Sequence, residues 1–245
     1  MKRLQTRSAL VTSIMCMLVI GMFAMTGCGS QEASSSSSSE EGYQIDYLVL
    51  VNKQNQLPEG WEGALETVTV QNSLGDDVEV EKRAYDAYLE LKADLEKDGV
   101  KVDLDSARRS VAEQQRIVDD FTKKYGEDYV KQYVAVPGYS EHHTGLALDL
   151  YLNIDGEDVY LNEDMVKYPE VWAKIHEKLA DHGFILRYLE GKEDITGYSY
   201  EPWHIRYVDD SAIAKEITDA GETLEEYLGV AEEAKAANAA ADKAA

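Results

Sequence analysis

The stretch "SEHHTGLALDL", Ser140–Leu150, combines a strand pattern with side chains that bind metals. Leucines occupy every second position of 146–152, so a strand here would bury the leucines and place Asp149 on the opposite face. His142 lies just upstream, and Gly145 allows a sharp turn between them. An imidazole and a carboxylate can therefore converge on one point, and the stretch predicts a core strand that presents half of a metal site.

A second stretch, "YEPWHIRYV", offers the other half. Glu201 and His204 are three residues apart, so an ideal strand would turn them to opposite sides. Pro202 cannot donate to a strand ladder, and it predicts a kink or bulge that turns both residues the same way. Imidazole and carboxylate ligands suit Zn²⁺, and a site with three protein ligands keeps a fourth position for water, as catalytic zinc sites do.

The two stretches together resemble the paired signature of the VanY-type zinc D-alanyl-D-alanine carboxypeptidases. The matching positions are Ser140-x-His142-x-x-Gly145-x-Ala147-x-Asp149 and Glu201-Pro202-Trp203-His204. Further blocks, "LVLVNKQNQLP", "SARRSVAEQQ" and "GFILRY", resemble successive blocks of the family between about residues 43 and 229. The resemblance implies one zinc ion bound by His142, Asp149 and His204, with Glu201 as catalytic base.

The resemblance also implies an α+β fold, the hedgehog-like fold of zinc D,D-peptidases, in which helices flank a small antiparallel sheet. The mixture of alternating strands and separate helices is compatible with it. Periodicity and capping patterns predict strands at 47–51, 66–72 and 100–104, and helices at 81–98, from Ser110 onward and at 168–182. His176 and His182 belong to the last helix, and we expect both to be structural.

Substrate contacts are expected around Arg109, which matches the arginine of the family's Ser-Gly-Tyr-Arg-Ser block. This chain has Ala107 and Arg108 in place of the glycine and tyrosine, and we interpret Arg108 as a solvated neighbour. Arg109 would meet either the developing oxyanion or the terminal carboxylate of the substrate. The remaining candidates are substrate contacts by Gln114 and Ser140, a pocket wall formed by Trp203, and a neighbouring but non-ligating His143.

The ends of the chain predict a lipoprotein. Residues 1–27 have the layout of a secretory signal, and Met25-Thr26-Gly27-Cys28 resembles the lipobox in which the cysteine is acylated. An uncleaved membrane helix is the alternative. A serine-rich tether is expected at 28–42, the catalytic domain at 43–229, and a disordered alanine-rich tail at 230–245. The domain would lie outside the cytoplasm, on the outer face of the bacterial cell membrane.

The composition of the chain limits the kinds of molecule that it is expected to bind. The net charge of the 245-residue chain is −23, and loss of Lys2, Arg3 and Arg7 with the signal would make it −26, since 21 − 47 = −26. Such a charge repels phosphate backbones and argues against nucleic acid as a partner. Cys16 lies in the signal and Cys28 is the predicted lipidation site, so no thiol remains for a disulfide. We expect a monomer.

The main functional hypothesis is removal of the terminal D-alanine from peptidoglycan stem peptides. An L,D-carboxypeptidase that trims tetrapeptide stems is the nearest alternative, because the same motifs serve both. A non-catalytic, zinc-stabilised wall-binding lipoprotein is the alternative from another class. Retention of both Glu201 and Arg109 argues against it, since binding alone needs no base beside the metal. An endopeptidase that cuts cross-links would need a deeper groove.

Overall fold

The structure is a computed structural model that describes residues 44–243, with the side chains of Gln132 and Asp242 left out. The predicted signal, the lipidation site Cys28 and the tether lie outside these residues. No helix within the described part of the chain is long and apolar enough to cross a membrane.

Seven strands and ten α-helices follow one another along the described residues. The strands are β1 Thr67–Gln71, β2 Asp77–Glu81, β3 Lys101–Ser106, β4 Ala147–Ile154, β5 Glu157–Val159, β6 Phe184–Leu186 and β7 His204–Tyr207. The helices are α1 Trp61–Ala64, α2 Lys82–Lys97, α3 Val111–Tyr125, α4 Glu127–Tyr133, α5 Asn162–Met165, α6 Pro169–Leu179, α7 Glu193–Thr196, α8 Ser211–Ala220, α9 Leu224–Tyr227 and α10 Ala231–Lys243. Two 3₁₀ turns cover Glu141–Thr144 and Ala180–His182.

The main sheet is antiparallel, in the order β3-β4-β7-β6, with β5 paired to the end of β4. Strand β4 therefore lies in the middle, as its alternating leucines predict. Leu148, Leu150 and Leu152 are fully buried in the main core. The predicted α+β architecture with a small antiparallel sheet is confirmed.

Helices α2 and α6 cover the apolar side of this sheet. Leu91 and Leu95 of α2, and Trp172 and Ile175 of α6, belong to the same buried cluster as the β4 leucines. Their spacing of three or four residues places each pair on one helix face. Gly99, at φ +75°, ends the first of these helices, where only glycine enters the left-handed region without strain.

The prediction of a strand at 47–51 is wrong. Strand β1 pairs instead with β2, in a separate two-stranded sheet. The backbone carbonyls of Tyr47 and Val49 both accept hydrogen bonds from Nη2 of Arg206, each at 2.9 Å. A buried guanidinium has taken the acceptors that a neighbouring strand would otherwise use, so the apolar segment lies beside the sheet without joining it.

The prediction of a disordered tail is also wrong for residues 231–243, which form helix α10. Alanine, lysine and glutamate favour helix strongly, and one polar residue fixes the helix to the domain. Asn238 donates from Nδ2 to the carbonyls of Asp194 and Ile195 at 3.1 and 2.9 Å. Its Oδ1 accepts from Gln54 at 2.7 Å. The alanine-rich composition alone indicates low complexity, because the contact of Asn238 with α7 joins segments that are distant in sequence.

Candidate active site

His142 is held in a 3₁₀ turn that ends at Gly145, where φ is +73°. The turn buries the imidazole, and His142 Nδ1 donates to the carbonyl of Ala107 at 2.7 Å. The other ring nitrogen, Nε2, therefore carries the lone pair. Burial and the charge of Arg109 lower the pKa of His142 to about 4, so the ring is neutral at pH 7, which is the form that binds metals.

Asp149 and His204 face each other across neighbouring strands. They are register partners on β4 and β7, so the pairing of the strands itself brings them together. His204 Nδ1 lies 3.1 Å from Asp149 Oδ1, and His142 Nε2 lies 3.2 Å from Asp149 Oδ2. One ligand atom from each of the three residues lies within 4.8 Å of the others. The predicted ligands thus converge on one point.

These three residues fit a zinc ion. Ligand atoms on a tetrahedron with bonds of about 2.0–2.1 Å lie roughly 3.3 Å apart, close to the two distances above. Asp149 Oδ1 is buried, and its 3.1 Å contact with His204 Nδ1 lacks the geometry of a hydrogen bond. A buried acceptor of this kind is costly unless a cation satisfies it. Burial lowers the pKa of His204, but Asp149 and Glu141 outweigh this effect and raise the pKa to about 9. In the metal-free protein His204 is therefore protonated at neutral pH, and a metal ion that binds must displace this proton.

Glu201 stands beside this centre, as the kink at Pro202 predicts. Its backbone carbonyl accepts from the amide of His204 at 3.3 Å, a turn that brings the two side chains to the same side. Glu201 Oε2 lies 3.7 Å from His204 Nδ1. Burial, reinforced by the charge of Asp149, raises the pKa of Glu201 to about 7. A carboxylate with this pKa can accept and return a proton near neutral pH.

Arg109 is aimed at the same point by three side chains. Its Nε donates to Ser106 Oγ at 3.0 Å, Nη1 donates to Gln114 Oε1 at 3.1 Å, and Nη2 lies 3.2 Å from Asp149 Oδ2. Gln114 also donates from Nε2 to the carbonyl of Ala135 at 2.8 Å, so both ends of its amide bind protein groups. Gln114 lines the cleft and orients the Arg109 guanidinium, and its predicted contact with substrate stays a prediction.

The prediction that Arg108 is a solvated neighbour is wrong. Its side chain is only 17% exposed and forms ion pairs with Glu79 at 2.6 Å and Glu62 at 3.3 Å. Two carboxylates on β2 and α1 therefore hold Arg108 away from Arg109.

The metal ligands, Glu201 and Arg109 share a cleft of about 320 Å³. Ser140 and Trp203 also line it, as do Phe121 and Tyr133 from α3 and α4. Ser140 is buried, and Trp203 packs against the main core. The predicted wall residue and the predicted turn serine are thus both at the cleft, together with two aromatic residues that the sequence did not single out.

The remaining histidines lie outside the metal site. His143 Nδ1 donates to the carbonyl of Arg109 at 2.7 Å, and its Nε2 accepts from the amide of Gly138 at 3.0 Å, so both nitrogens bind the backbone. His176 Nε2 contacts the carbonyl of Pro202 at 2.9 Å, and His182 Nε2 lies 3.6 Å from Asp94. These contacts agree with the structural roles expected for them.

Sequence reasoning missed a buried network of charges behind His204. Glu141 Oε2 lies 3.1 Å from His204 Nε2, while its Oε1 accepts from Arg187 and Arg206 at 2.8 and 2.7 Å. Glu225 accepts two hydrogen bonds from Arg187. A signal was present, because Arg187 and Arg206 interrupt apolar strand segments, "GFILRY" and "HIRYV", where an unpaired cation would be costly.

The comparisons with known proteins agree with this geometry. The family model of the VanY D-alanyl-D-alanine carboxypeptidases matches residues 77–210. A putative carboxypeptidase, YodJ of Bacillus subtilis, is 40% identical over 186 residues, which cover 74% of this chain and 66% of that protein. The chain thus spans just under two thirds of the length of this relative.

Two solved structures share the fold over 75% of this chain. The vancomycin resistance D,D-pentapeptidase VanY, in complex with Zn(II), has a TM-score of 0.61 at 34% identity, with 99% of its chain covered. The LD-carboxypeptidase LdcB has a TM-score of 0.64 at 36% identity, with 86% covered. The predicted family, the predicted zinc and the predicted metallopeptidase class are confirmed. The chain belongs to the VanY family of zinc D-alanyl-D-alanine carboxypeptidases.

Proposed function

We propose that this protein hydrolyses the bond before the terminal D-alanine of peptidoglycan stem peptides that end in D-Ala-D-Ala. The observation that carries the proposal is the convergence of His142, Asp149 and His204 on one point, with Glu201 beside it. Metal binding alone would need only the three ligands. Glu201 is a buried carboxylate beside the ligands, and burial raises its pKa, which suits a group that accepts and returns a proton.

A zinc ion held by His142, Asp149 and His204 would polarise the scissile carbonyl and make the attacking water more acidic. Glu201 Oε2 accepts a proton from the attacking water and then delivers it to the amine nitrogen of the leaving D-alanine. The new C–O bond forms as Glu201 takes the proton, and the peptide C–N bond breaks afterwards, as Glu201 gives that proton to the nitrogen. The same carboxylate therefore acts first as base and then as acid.

Arg109 supplies the positive charge of the cleft. Ser106 and Gln114 fix its guanidinium, and the fork is therefore oriented before a substrate arrives. A fixed guanidinium in a partly buried cleft can bind either the terminal carboxylate or the developing oxyanion. The small cleft, about 320 Å³, suits the end of a peptide.

An assay with two stem peptides distinguishes this proposal from the L,D alternative. The similarity to LdcB is the observation that supports the alternative. Purified zinc-loaded protein is incubated with a pentapeptide stem and, separately, with a tetrapeptide stem, and free D-alanine is measured. We expect release from the pentapeptide. Release from the tetrapeptide alone would contradict the D,D assignment. No release from either, in protein that holds zinc, would support the non-catalytic alternative.

The control for this assay is the protein treated with a chelator and then reloaded with zinc. Chelation should abolish D-alanine release, and zinc should restore it. Release that survives removal of the metal would contradict a metal-dependent reaction.

We also propose that the domain is tethered to the outer face of the bacterial cell membrane through acylated Cys28. The support is the order of basic, apolar and small residues before this cysteine and the serine-rich segment after it. Labelling cells with a fatty acid analogue should mark the wild-type protein and leave the Cys28→Ser variant unmarked. Equal labelling of both would contradict lipidation at Cys28.

We infer that the protein is a monomer, because the high negative charge opposes self-association. Light scattering of the purified domain should give the mass of a single chain. A dimer at micromolar concentration would contradict this inference.

A further inference from the structure

The two ring nitrogens of His204 have different neighbours, and only one can bind a metal. Nδ1 lies 3.1 Å from Asp149 and 3.7 Å from Glu201, on the side of the metal site. Nε2 lies 3.1 Å from Glu141 Oε2, on the buried side. The neutral ring carries a proton on one nitrogen and a lone pair on the other, so the partner of Nε2 determines which nitrogen is free to bind zinc.

Glu141 cannot turn away from His204. Its Oε1 accepts hydrogen bonds from Nε of Arg187 and Nη1 of Arg206, at 2.8 and 2.7 Å, and the side chains of all three residues are fully buried. With Oε1 held by two guanidinium groups, Oε2 is left facing the imidazole. An ionised carboxylate only accepts hydrogen bonds, so this geometry requires a proton on Nε2.

We propose that Glu141 is a positioning residue of the metal centre: it fixes the proton of His204 on Nε2 and thereby presents Nδ1 to the zinc. This inference rests on the proposed function only in that it assumes zinc at this site. Partners of this kind beyond a metal's own ligands typically change metal affinity by about 10- to 100-fold.

The network behind Glu141 supports this role from parts of the chain outside the family match. Glu225 accepts from Nη1 and Nη2 of Arg187 at 2.9 and 2.8 Å, and Asn52 donates to Glu225 at 3.0 Å. Two buried carboxylates therefore balance two buried guanidiniums. Of these two carboxylates, only Glu141 contacts a metal ligand. This difference makes Glu225 a matched control.

Glutamine at position 141 would have one acceptor and one donor in place of two acceptors. Arg187 and Arg206 would bind its oxygen, and its amide group would face His204 Nε2. An amide N–H can only donate, so it would favour the lone pair on Nε2 and the proton on Nδ1. The substitution should therefore present the wrong tautomer to the metal even where the protein folds.

The test compares Glu141→Gln with Glu225→Gln in the full-length chain. Zinc affinity is measured by competition with a chelator, the ligand field by the visible spectrum of the Co²⁺ form, and stability by urea unfolding. We expect Glu141→Gln to weaken zinc binding by about 10- to 100-fold and to change the Co²⁺ spectrum. Glu225→Gln should lower stability, keep the zinc affinity within about threefold of wild type and leave the Co²⁺ spectrum unchanged.

Equal loss of zinc affinity in both variants would overturn the proposal, because the effect would then come from the charge network as a whole. Wild-type affinity in Glu141→Gln would overturn it too. If either variant fails to fold, a measurement on the wild-type protein still tests the proposal. Its zinc form should show a protonated Nε2 on His204 by ¹⁵N NMR, and a proton on Nδ1 would contradict the proposal.

None of these readouts uses peptide hydrolysis. A protein that binds zinc through His204 Nδ1 but cleaves no stem peptide would refute the proposed function and leave this inference standing. A protein that cleaves the pentapeptide but binds zinc through Nε2 would refute this inference and leave the proposed function standing.

Discussion

A substitution at Glu201 should abolish hydrolysis and leave zinc binding intact. Glutamine at this position keeps the shape of the side chain but cannot accept the proton. We expect Glu201→Gln to lower kcat by about 10²- to 10⁴-fold, the usual contribution of a general acid–base group, and to retain one zinc per chain. D-alanine release and metal analysis measure the two effects.

The exposed carboxylate of Glu170 gives the control for this variant. Glu170→Gln should match wild type in both measurements. Full activity in Glu201→Gln would remove Glu201 from the mechanism.

Arg109 can be tested by a change that keeps its charge. Lysine cannot reach Ser106, Gln114 and the substrate at the same time, because it lacks the planar fork. A lost hydrogen bond to a charged group costs about 1.5–3 kcal/mol, which corresponds to a fall in kcat/KM of roughly 10- to 100-fold for Arg109→Lys. Steady-state kinetics with the pentapeptide measures this fall.

The exposed Arg116 offers the matched substitution, since it only pairs with Glu113 at 3.7 Å. Arg116→Lys should leave kcat/KM unchanged. A rise in KM alone for Arg109→Lys would indicate binding of the terminal carboxylate, and a fall in kcat alone would indicate the oxyanion. Unchanged kinetics would show that the fork is not required.

At this scale the sequence predicted the metal ligands and the base, because their spacing and residue types are specified within two short stretches. It did not predict Glu141, although this residue is next to His142. The role of Glu141 depends on Arg187 and Arg206, which are distant in sequence and reach it only through the pairing of the sheet.

Among the elements, the turn between the 3₁₀ segment and β4 sets the distance from His142 to Asp149. Gly145 has φ +73°, and an added Cβ would lie 3.2 Å from Cβ and 3.3 Å from N of Glu81. We expect Gly145→Ala to lower the free energy of unfolding by more than the roughly 1–2 kcal/mol of left-handed strain alone. Zinc affinity should fall as well, because the turn must move. Urea unfolding and chelator competition measure the two changes.

Gly75 provides a control with the same backbone problem and no crowding, since its φ is +92° and nothing lies within 4 Å of an added Cβ. Gly75→Ala should lose about 1–2 kcal/mol of stability and keep its zinc affinity. Equal stability losses at the two glycines would show that the contact with Glu81 is unimportant.

Helix α10 is expected to contribute to stability and not to metal binding. Ending the chain after Gly229 removes three hydrogen bonds of Asn238, at roughly 0.5–1.5 kcal/mol each. The free energy of unfolding should fall by about 2–4 kcal/mol, while the zinc content stays at one per chain. A chain that ends after Lys243 is the control. Unchanged stability after the longer truncation would contradict packing of α10 on α7.

Elements with strong periodicity were predicted well, and those that depend on a distant partner were not. Helices α2 and α6 have their apolar residues on one face, which is visible in sequence. The segment 47–51 has a strand composition, but Arg206 binds its carbonyls. Whether an apolar segment joins a sheet thus depends on which groups compete for its backbone.

Across the whole molecule, the metal should determine how stability depends on pH. In the metal-free protein, burial lowers the pKa of His204, but Asp149 and Glu141 outweigh this effect and raise the pKa from 6.5 to about 9. A raised pKa gives stability that is complete below about pH 6.5 and is lost as the pH rises through 9. The loss should be on the order of 3 kcal/mol.

The zinc-loaded protein is the control, because the cation occupies the place of that proton. Its free energy of unfolding should change little between pH 6.5 and 9, whereas the chelated protein should lose stability over the same range. Parallel urea titrations at several pH values measure both. Identical profiles for the two forms would contradict the protonation of His204 in the metal-free state.

The arginines behind His204 have a practical consequence for how this protein can be shortened. Tyr47 and Val49 reach Arg206 from one end of the chain, and Glu225 reaches Arg187 from the other. A fragment cut to 77–210, the limits of the family-model match, would leave two guanidiniums in an apolar interior without four of their seven hydrogen bonds. Expression of such a fragment should yield insoluble material, so the smallest workable unit must begin before residue 47 and continue past residue 225.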